Sequence, residues 1–199
     1  MPNIINFITF LRIALIPFLL LFYYLQPSYL DANTFNWANL LMVGVYIIAG
    51  ITDYLDGYLA RKFNMTSELG ALLDPVADKL IVATALILLV DFYPNYNYWY
   101  ITVCSVIIIS REILVSALRE WMSSIGKRSK VKVNFIGKIK AFVQILAIIF
   151  LLYKQPFLSD FIFKTGVLLL IVATSLTFFS GVIYLIEGIK NLTINEKIL

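Results

Sequence analysis

The chain has 199 residues, of which 61% are hydrophobic and 14% charged, with a formal net charge of +4 and a mean hydropathy of +0.88. Soluble domains carry about 45–50% apolar and about 25% charged residues, so this composition excludes a water-coated globule, and its low charge excludes disorder. One cysteine, Cys104, and no histidine exclude an intramolecular disulfide framework and the usual zinc sites; a polytopic membrane protein remains.

Six windows reach the ~20 apolar residues that a helix needs to cross a bilayer. In chain order they are 7–27, 37–60, 70–91, 98–120, 134–153 and 163–188. The first lacks a basic leader and a small-residue cleavage site and contains Arg12, so it reads as a membrane helix rather than a cleavable signal peptide. No β-barrel alternation, low-complexity stretch or internal repeat interrupts the series. The expected fold is all-α and integral to the membrane: one domain, 1–199, built as a six-transmembrane-helix bundle.

Lys and Arg placement orients such a bundle. The side holding both termini carries Arg61, Lys62, Lys127, Arg128, Lys130, Lys132, Lys190 and Lys197, with Arg119, Lys138 and Lys140 at its helix ends. The opposite side has Lys154 and Lys164 and is otherwise aromatic, as in Phe22-Tyr23-Tyr24 and 96–100. Both termini are therefore expected in the cytoplasm. The net positive charge reads mainly as a topology signal, with attraction to anionic membrane lipids as a secondary effect, and no nucleic-acid partner is expected.

Arg12, Asp53, Asp56, Asp74, Asp78, Lys79, Arg111 and Glu112 fall inside the windows. A charge at a helix centre costs roughly 2.5–3.5 kcal/mol on insertion scales, so these groups are expected to face one another, a polar cavity or a bound ion. Asp53 and Asp56 share a face of the second helix, and Asp74 and Asp78 share a face of the third. The short 62–69 connection makes the two helices antiparallel neighbours. Both pairs then lie roughly 12 Å from the loop, a little inside the cytoplasmic surface.

Carboxylates gathered at one depth repel unless a cation is present, and oxygen-only ligands favour Mg²⁺ or Mn²⁺. Pairs of such ions suit phosphoryl displacement. Gly57, Ala60 and Gly70 leave room for a substrate near backbone, and Arg61 offers a diphosphate its fork of donors. Other readings stand beside this one. Aspartates at helical spacing also suit a structural cation or a transport path, the small residues also suit close helix packing, and Gly70 also suits the end of a loop.

The run Asp53-x-x-Asp56-Gly57-x-x-Ala60-Arg61, eight residues, Gly70-x-x-x-Asp74-x-x-x-Asp78 resembles the hallmark motif of the CDP-alcohol phosphotransferases, with every defining position and spacing present. The resemblance implies a six-helix membrane enzyme, generally homodimeric, in which a CDP-linked lipid donates its phosphatidyl group to an alcohol and CMP leaves. It implies that Asp53, Asp56 and Asp74 hold a two-metal centre of Mg²⁺ or Mn²⁺. Asp78 would touch one metal and act as the general base. Gly57, Ala60, Arg61, Ser67 and Gly70 would contact the CDP moiety. Asn6, Thr9 and Arg12 resemble the family's Asn-x-x-Thr-x-x-Arg pattern, expected near the cytidine or the motif helices; a helix cap at Asn6 and a snorkelling Arg12 are the plainer alternatives.

Arg111 and Arg119 on the fourth helix, with Lys138 and Lys140 at the start of the fifth, form a candidate phosphate pocket; positive-inside retention and a simple Arg111–Glu112 pair are its alternatives. Arg111-Glu112-Ile113, Leu118-Arg119, and Gly137-Lys138-x-Lys140 with Gln144 resemble the branch of the family that takes glycerol 3-phosphate as acceptor and CDP-diacylglycerol as donor, although Ala141 stands where threonine is expected. The implied product is phosphatidylglycerophosphate, made in the cell membrane at a site facing the cytoplasm. Inositol phosphate, serine or phosphatidylglycerol as acceptor, and a divalent-cation transporter, are the competing expectations. Thr174, Ser175, Thr177, Ser180 and Gly181 on the sixth helix suit packing or acceptor binding equally.

Overall fold

A computed structural model describes residues 2–26, 35–63, 68–124, 135–153 and 159–196; the side chains of 2–8, 54, 56–63, 68–69, 71–72, 124, 135–138, 159 and 187–196 lie outside the described set. Ser67 falls outside it altogether. The described residues are almost all helical, and none of them lies in a strand. Six α-helices follow one another: α1 (Pro2–Tyr24), α2 (Trp37–Phe63), α3 (Glu68–Phe92), α4 (Trp99–Ser124), α5 (Phe135–Tyr153) and α6 (Ser159–Glu196). Each falls on one of the six apolar windows. A 3-10 turn, Tyr96–Tyr98, leads into α4, and Asn95 caps it by accepting a hydrogen bond from the Asn97 N–H.

Among the described residues, two segments, Tyr96–Ser123 and Asp160–Ile186, are long and apolar enough to cross a membrane, and Thr9–Tyr24, Trp37–Asp53 and Ile139–Tyr153 are shorter apolar stretches. Large apolar side chains stand exposed on every α-helix, among them Phe18, Ile51, Ile87, Val106, Phe142 and Leu168. Exposure all along the helices, with Tyr24, Trp37, Tyr96 and Trp99 exposed near helix ends, suits lipid contact flanked by interfacial aromatics.

The helices group into two units. The first comprises residues 1–94 and 148–166. Within it α1 packs along both α2 and α3, while α2 and α3 touch over a much shorter stretch among the described residues. Helical spacing explains the buried faces. Met42, Tyr46 and Ala49 line one stripe of α2, and Ala77, Ile81, Ala85 and Leu89 line one of α3. Leu19 of α1 is fully buried in the same unit. At one end the Tyr23 hydroxyl donates to Asp91 at 2.5 Å. Tyr93 donates to the Leu151 carbonyl at 2.9 Å and its ring lies 5.2 Å from that of Phe163. Gly166 lets α6 approach α5 here, because a methyl group in its place would meet the Leu151 Cγ at 3.0 Å.

The second unit comprises residues 95–147 and 167–199. Ile101, Cys104, Ile108, Val115 and Met122 form the buried stripe of α4. Ala147 on α5 and Leu170 and Ala173 on α6 are likewise buried. The α6 hydroxyls of Thr174 and Thr177 return to their own helix, donating to the carbonyls of Leu170 at 2.7 Å and Ala173 at 2.5 Å. That back-bonding satisfies a buried hydroxyl without a partner helix.

Candidate active site

In the first unit, α1 carries Thr9 and Arg12 one turn apart, and both are completely buried. Arg12 is the centre of the arrangement. Its Nη1 lies 3.2 Å from Asp53 Oδ1 on α2 and donates to Asp74 Oδ1 on α3 at 2.9 Å. The Asp53 and Asp74 side chains remain 44% and 48% exposed, so an arginine within the helices holds two carboxylates whose other faces are open. The two acidic helices thus come together on α1, where Asp53 and Asp74 share Arg12. A buried guanidinium without counter-charges would be severely penalised, and this geometry supplies two.

Asp78, one turn beyond Asp74, is exposed, and Gly70 at the start of α3 is buried. The side chains of Asn6, Asp56, Gly57, Ala60 and Arg61 lie outside the described set. Among the described side chains no three acidic or cysteine residues gather at metal-binding separation. The donor chemistry nevertheless fits a hard divalent ion: Asp53 and Asp74 offer oxygen ligands from separate helices, and both already turn toward one positive centre.

The second unit holds a different cluster. Arg111 Nη1 donates to Glu112 Oε1 at 3.2 Å, and the Lys140 Nζ donates to the same Glu112 oxygen. Lys140 is 5% exposed, so it is a buried, paired cation and not a solvated surface charge. Two cations share one carboxylate, which leaves net positive charge. On its other side, Arg111 Nη2 donates to Ser180 Oγ at 3.0 Å, and the guanidinium lies 5.9 Å from the centre of the Tyr184 ring. Gln144, one turn along α5 from Lys140, is 5% exposed, and its Oε1 has no hydrogen-bond partner among the described residues. Arg119, eight residues beyond Arg111, is exposed, and the Lys138 side chain lies outside the described set.

The predicted cations Arg111 and Lys140 are therefore brought together, by a glutamate. Glu112 is legible in the sequence as a pair for Arg111, whereas its bond to Lys140 and the contacts of Ser180 and Tyr184 with Arg111 are not. Charge spacing along one helix carries no signal for such contacts between helices.

The chain belongs to the CDP-alcohol phosphatidyltransferase family, whose profile matches residues 2–179. It is therefore a member of an enzyme family that acts on CDP-linked alcohols. Among curated relatives, the CDP-diacylglycerol–glycerol-3-phosphate 3-phosphatidyltransferase of Pectobacterium atrosepticum is 44% identical over 183 residues, covering 92% of this chain and 93% of the relative. Relatives bearing the same name from Sodalis glossinidius and Salmonella choleraesuis are 43% and 41% identical over the same shares of both chains.

Proposed function

We propose that the chain transfers the phosphatidyl group of CDP-diacylglycerol to glycerol 3-phosphate, giving phosphatidylglycerophosphate and CMP. The observation that carries this reading is similarity along nearly the whole chain to relatives named for that reaction. The two charge clusters support it independently, since one is suited to cations and diphosphate and the other to an anion.

In this reading Asp53, Asp56, Asp74 and Asp78 would hold two Mg²⁺ or Mn²⁺ ions, which would supply positive charge against the donor diphosphate. Asp78 accepts the proton of the glycerol 3-phosphate hydroxyl as its oxygen bonds to the lipid-bearing phosphorus. The bond from that phosphorus to the CMP oxygen breaks, and CMP leaves with its electrons. Asn6, Thr9, Gly57, Ala60, Arg61, Ser67 and Gly70 bind the CDP-lipid. Arg111, Arg119, Lys138 and Lys140 bind the acceptor phosphate. Residues 1–199 form one catalytic membrane domain of six spans in the cell membrane, with cytoplasmic termini and active site, and the enzyme works as a homodimer. The Lys and Arg asymmetry of the loops and the exposed apolar surface of every helix support this placement.

The test is CMP release by purified protein given CDP-diacylglycerol, Mn²⁺ and an acceptor panel of glycerol 3-phosphate, inositol phosphate and serine. Release with glycerol 3-phosphate, lost in Asp78→Asn, is the expected result. No release above the Asp78→Asn background overturns the activity, and release with serine or inositol phosphate in its place overturns the acceptor.

A further inference from the structure

We infer that α6 contributes a cradle, formed by Ser180, Gly181 and Tyr184, that positions the Arg111 guanidinium for acceptor phosphate binding. The inference rests on the proposed role of Arg111 and extends it to residues to which neither the motif nor the relatives' names assign a role.

Three features converge on one side chain. Ser180 Oγ accepts from Arg111 Nη2 at 3.0 Å and donates to the Thr177 carbonyl at 3.0 Å, so its hydroxyl proton is committed and its lone pairs are turned to the arginine. Gly181 provides the space. A methyl group there would lie 3.0 Å from Arg111 Cγ and 3.6 Å from its Nε, so the aliphatic stem rests directly on the helix backbone. Tyr184, one turn beyond Ser180, presents its ring 5.9 Å from the guanidinium carbon, within cation–π range. Glu112 holds Nη1 from α4.

A free arginine side chain has roughly 2 kcal/mol of rotamer entropy to lose on binding an anion. Here three neighbours on α6 and one on α4 restrict it beforehand. Preorganisation of this kind acts on acceptor affinity and leaves the donor site untouched. Ser180, Gly181 and Tyr184 are positioning residues: each acts through Arg111.

The experiment compares Ser180→Ala, Ser180→Thr and Gly181→Ala with wild type in detergent, reading KM separately for glycerol 3-phosphate and for CDP-diacylglycerol, with thermal unfolding as a check on folding. Ser180→Ala and Gly181→Ala are expected to raise KM for glycerol 3-phosphate about fivefold to twentyfold, as expected for a disturbed charge-assisted contact. KM for CDP-diacylglycerol should stay within about twofold, because uniform destabilisation would move both substrates. Ser180→Thr keeps a hydroxyl acceptor and should lie close to wild type. Equal changes in both KM values, or no change in either variant, overturn the cradle while wild-type turnover leaves the proposed function standing. Wild-type protein that releases no CMP overturns the proposed function, and the cradle with it.

Discussion

Arg12 and Asp74 are 62 residues apart in the chain, yet the Arg12 Nη1 donates to Asp74 Oδ1 at 2.9 Å with the arginine side chain wholly enclosed. The same nitrogen reaches Asp53 at 3.2 Å, so one guanidinium nitrogen ties α1 to both acidic helices.

Removing that charge should loosen the first unit. Arg12→Ala is expected to lower stability by about 2–3 kcal/mol, below the usual loss for a broken buried pair because both carboxylates are half exposed. For a chain of this size the shift is about 4–12 °C in Tm, read by thermal unfolding in detergent. The Asp53 and Asp74 contacts both run through Nη1, so Arg12→Lys should recover part of the loss. Equal losses in the two variants would assign Arg12 to packing instead of charge.

Chelation gives a separate test of the aspartates. EDTA should abolish CMP release, and Mn²⁺ or Mg²⁺ should restore it. Saturating Mn²⁺ should also raise the wild-type Tm, with a limit of about 2.7 kcal/mol at a hundredfold excess over Kd. Asp53→Asn and Asp74→Asn should remove most of that rise. Asp78→Asn should cut turnover about 10²- to 10⁴-fold, the scale of general-base loss. A Tm indifferent to Mn²⁺ in wild-type protein would remove the metal centre from the reading.

Glu112 is the shared anion of the second unit, and its neutralisation leaves Lys140 buried without that counter-charge. Glu112→Gln is therefore expected to destabilise by about 2–4 kcal/mol. Adding Lys140→Met should restore most of this stability, since an apolar side chain tolerates burial that an ammonium does not. The double variant should still bind glycerol 3-phosphate more weakly than wild type. A double-mutant cycle in Tm and KM separates the two effects, and additive Tm losses would mean the pair is not coupled.

Gln144 tests the cost of a buried polar group. Its buried Oε1 has no partner among the described residues, so Gln144→Leu exchanges an unsatisfied carbonyl for an apolar group of similar size. Such exchanges are near neutral or stabilising. Tm is expected to be unchanged or higher; a fall of several degrees would show that the side chain supports the folded state.

The acidic motif and the candidate phosphate cluster were legible to different extents. Asp53, Asp56, Asp74 and Asp78 stand out because helical spacing and the cost of charge in lipid are local properties. The expectation that the acidic helices meet agrees with Asp53 and Asp74 sharing Arg12. What the short 62–69 connection does not foretell is that α1 packs along both helices and supplies the shared arginine. For the cations, spacing nominated Arg111, Arg119, Lys138 and Lys140 alike, while the structure joins Arg111 to Lys140 through Glu112 and leaves Arg119 exposed.

Six apolar windows became six helices, because helix formation and apolar run length depend on residues a few positions apart. The same local logic singled out the hallmark aspartates and with them the family. Tertiary structure alone decided which charges hold which: Arg12 with Asp53 and Asp74, Glu112 with Lys140, and Ser180 with Arg111 at a separation of 69 residues. Those pairings depend on how helix faces rotate against one another, and a helix can turn its polar stripe toward any neighbour without altering its own periodicity.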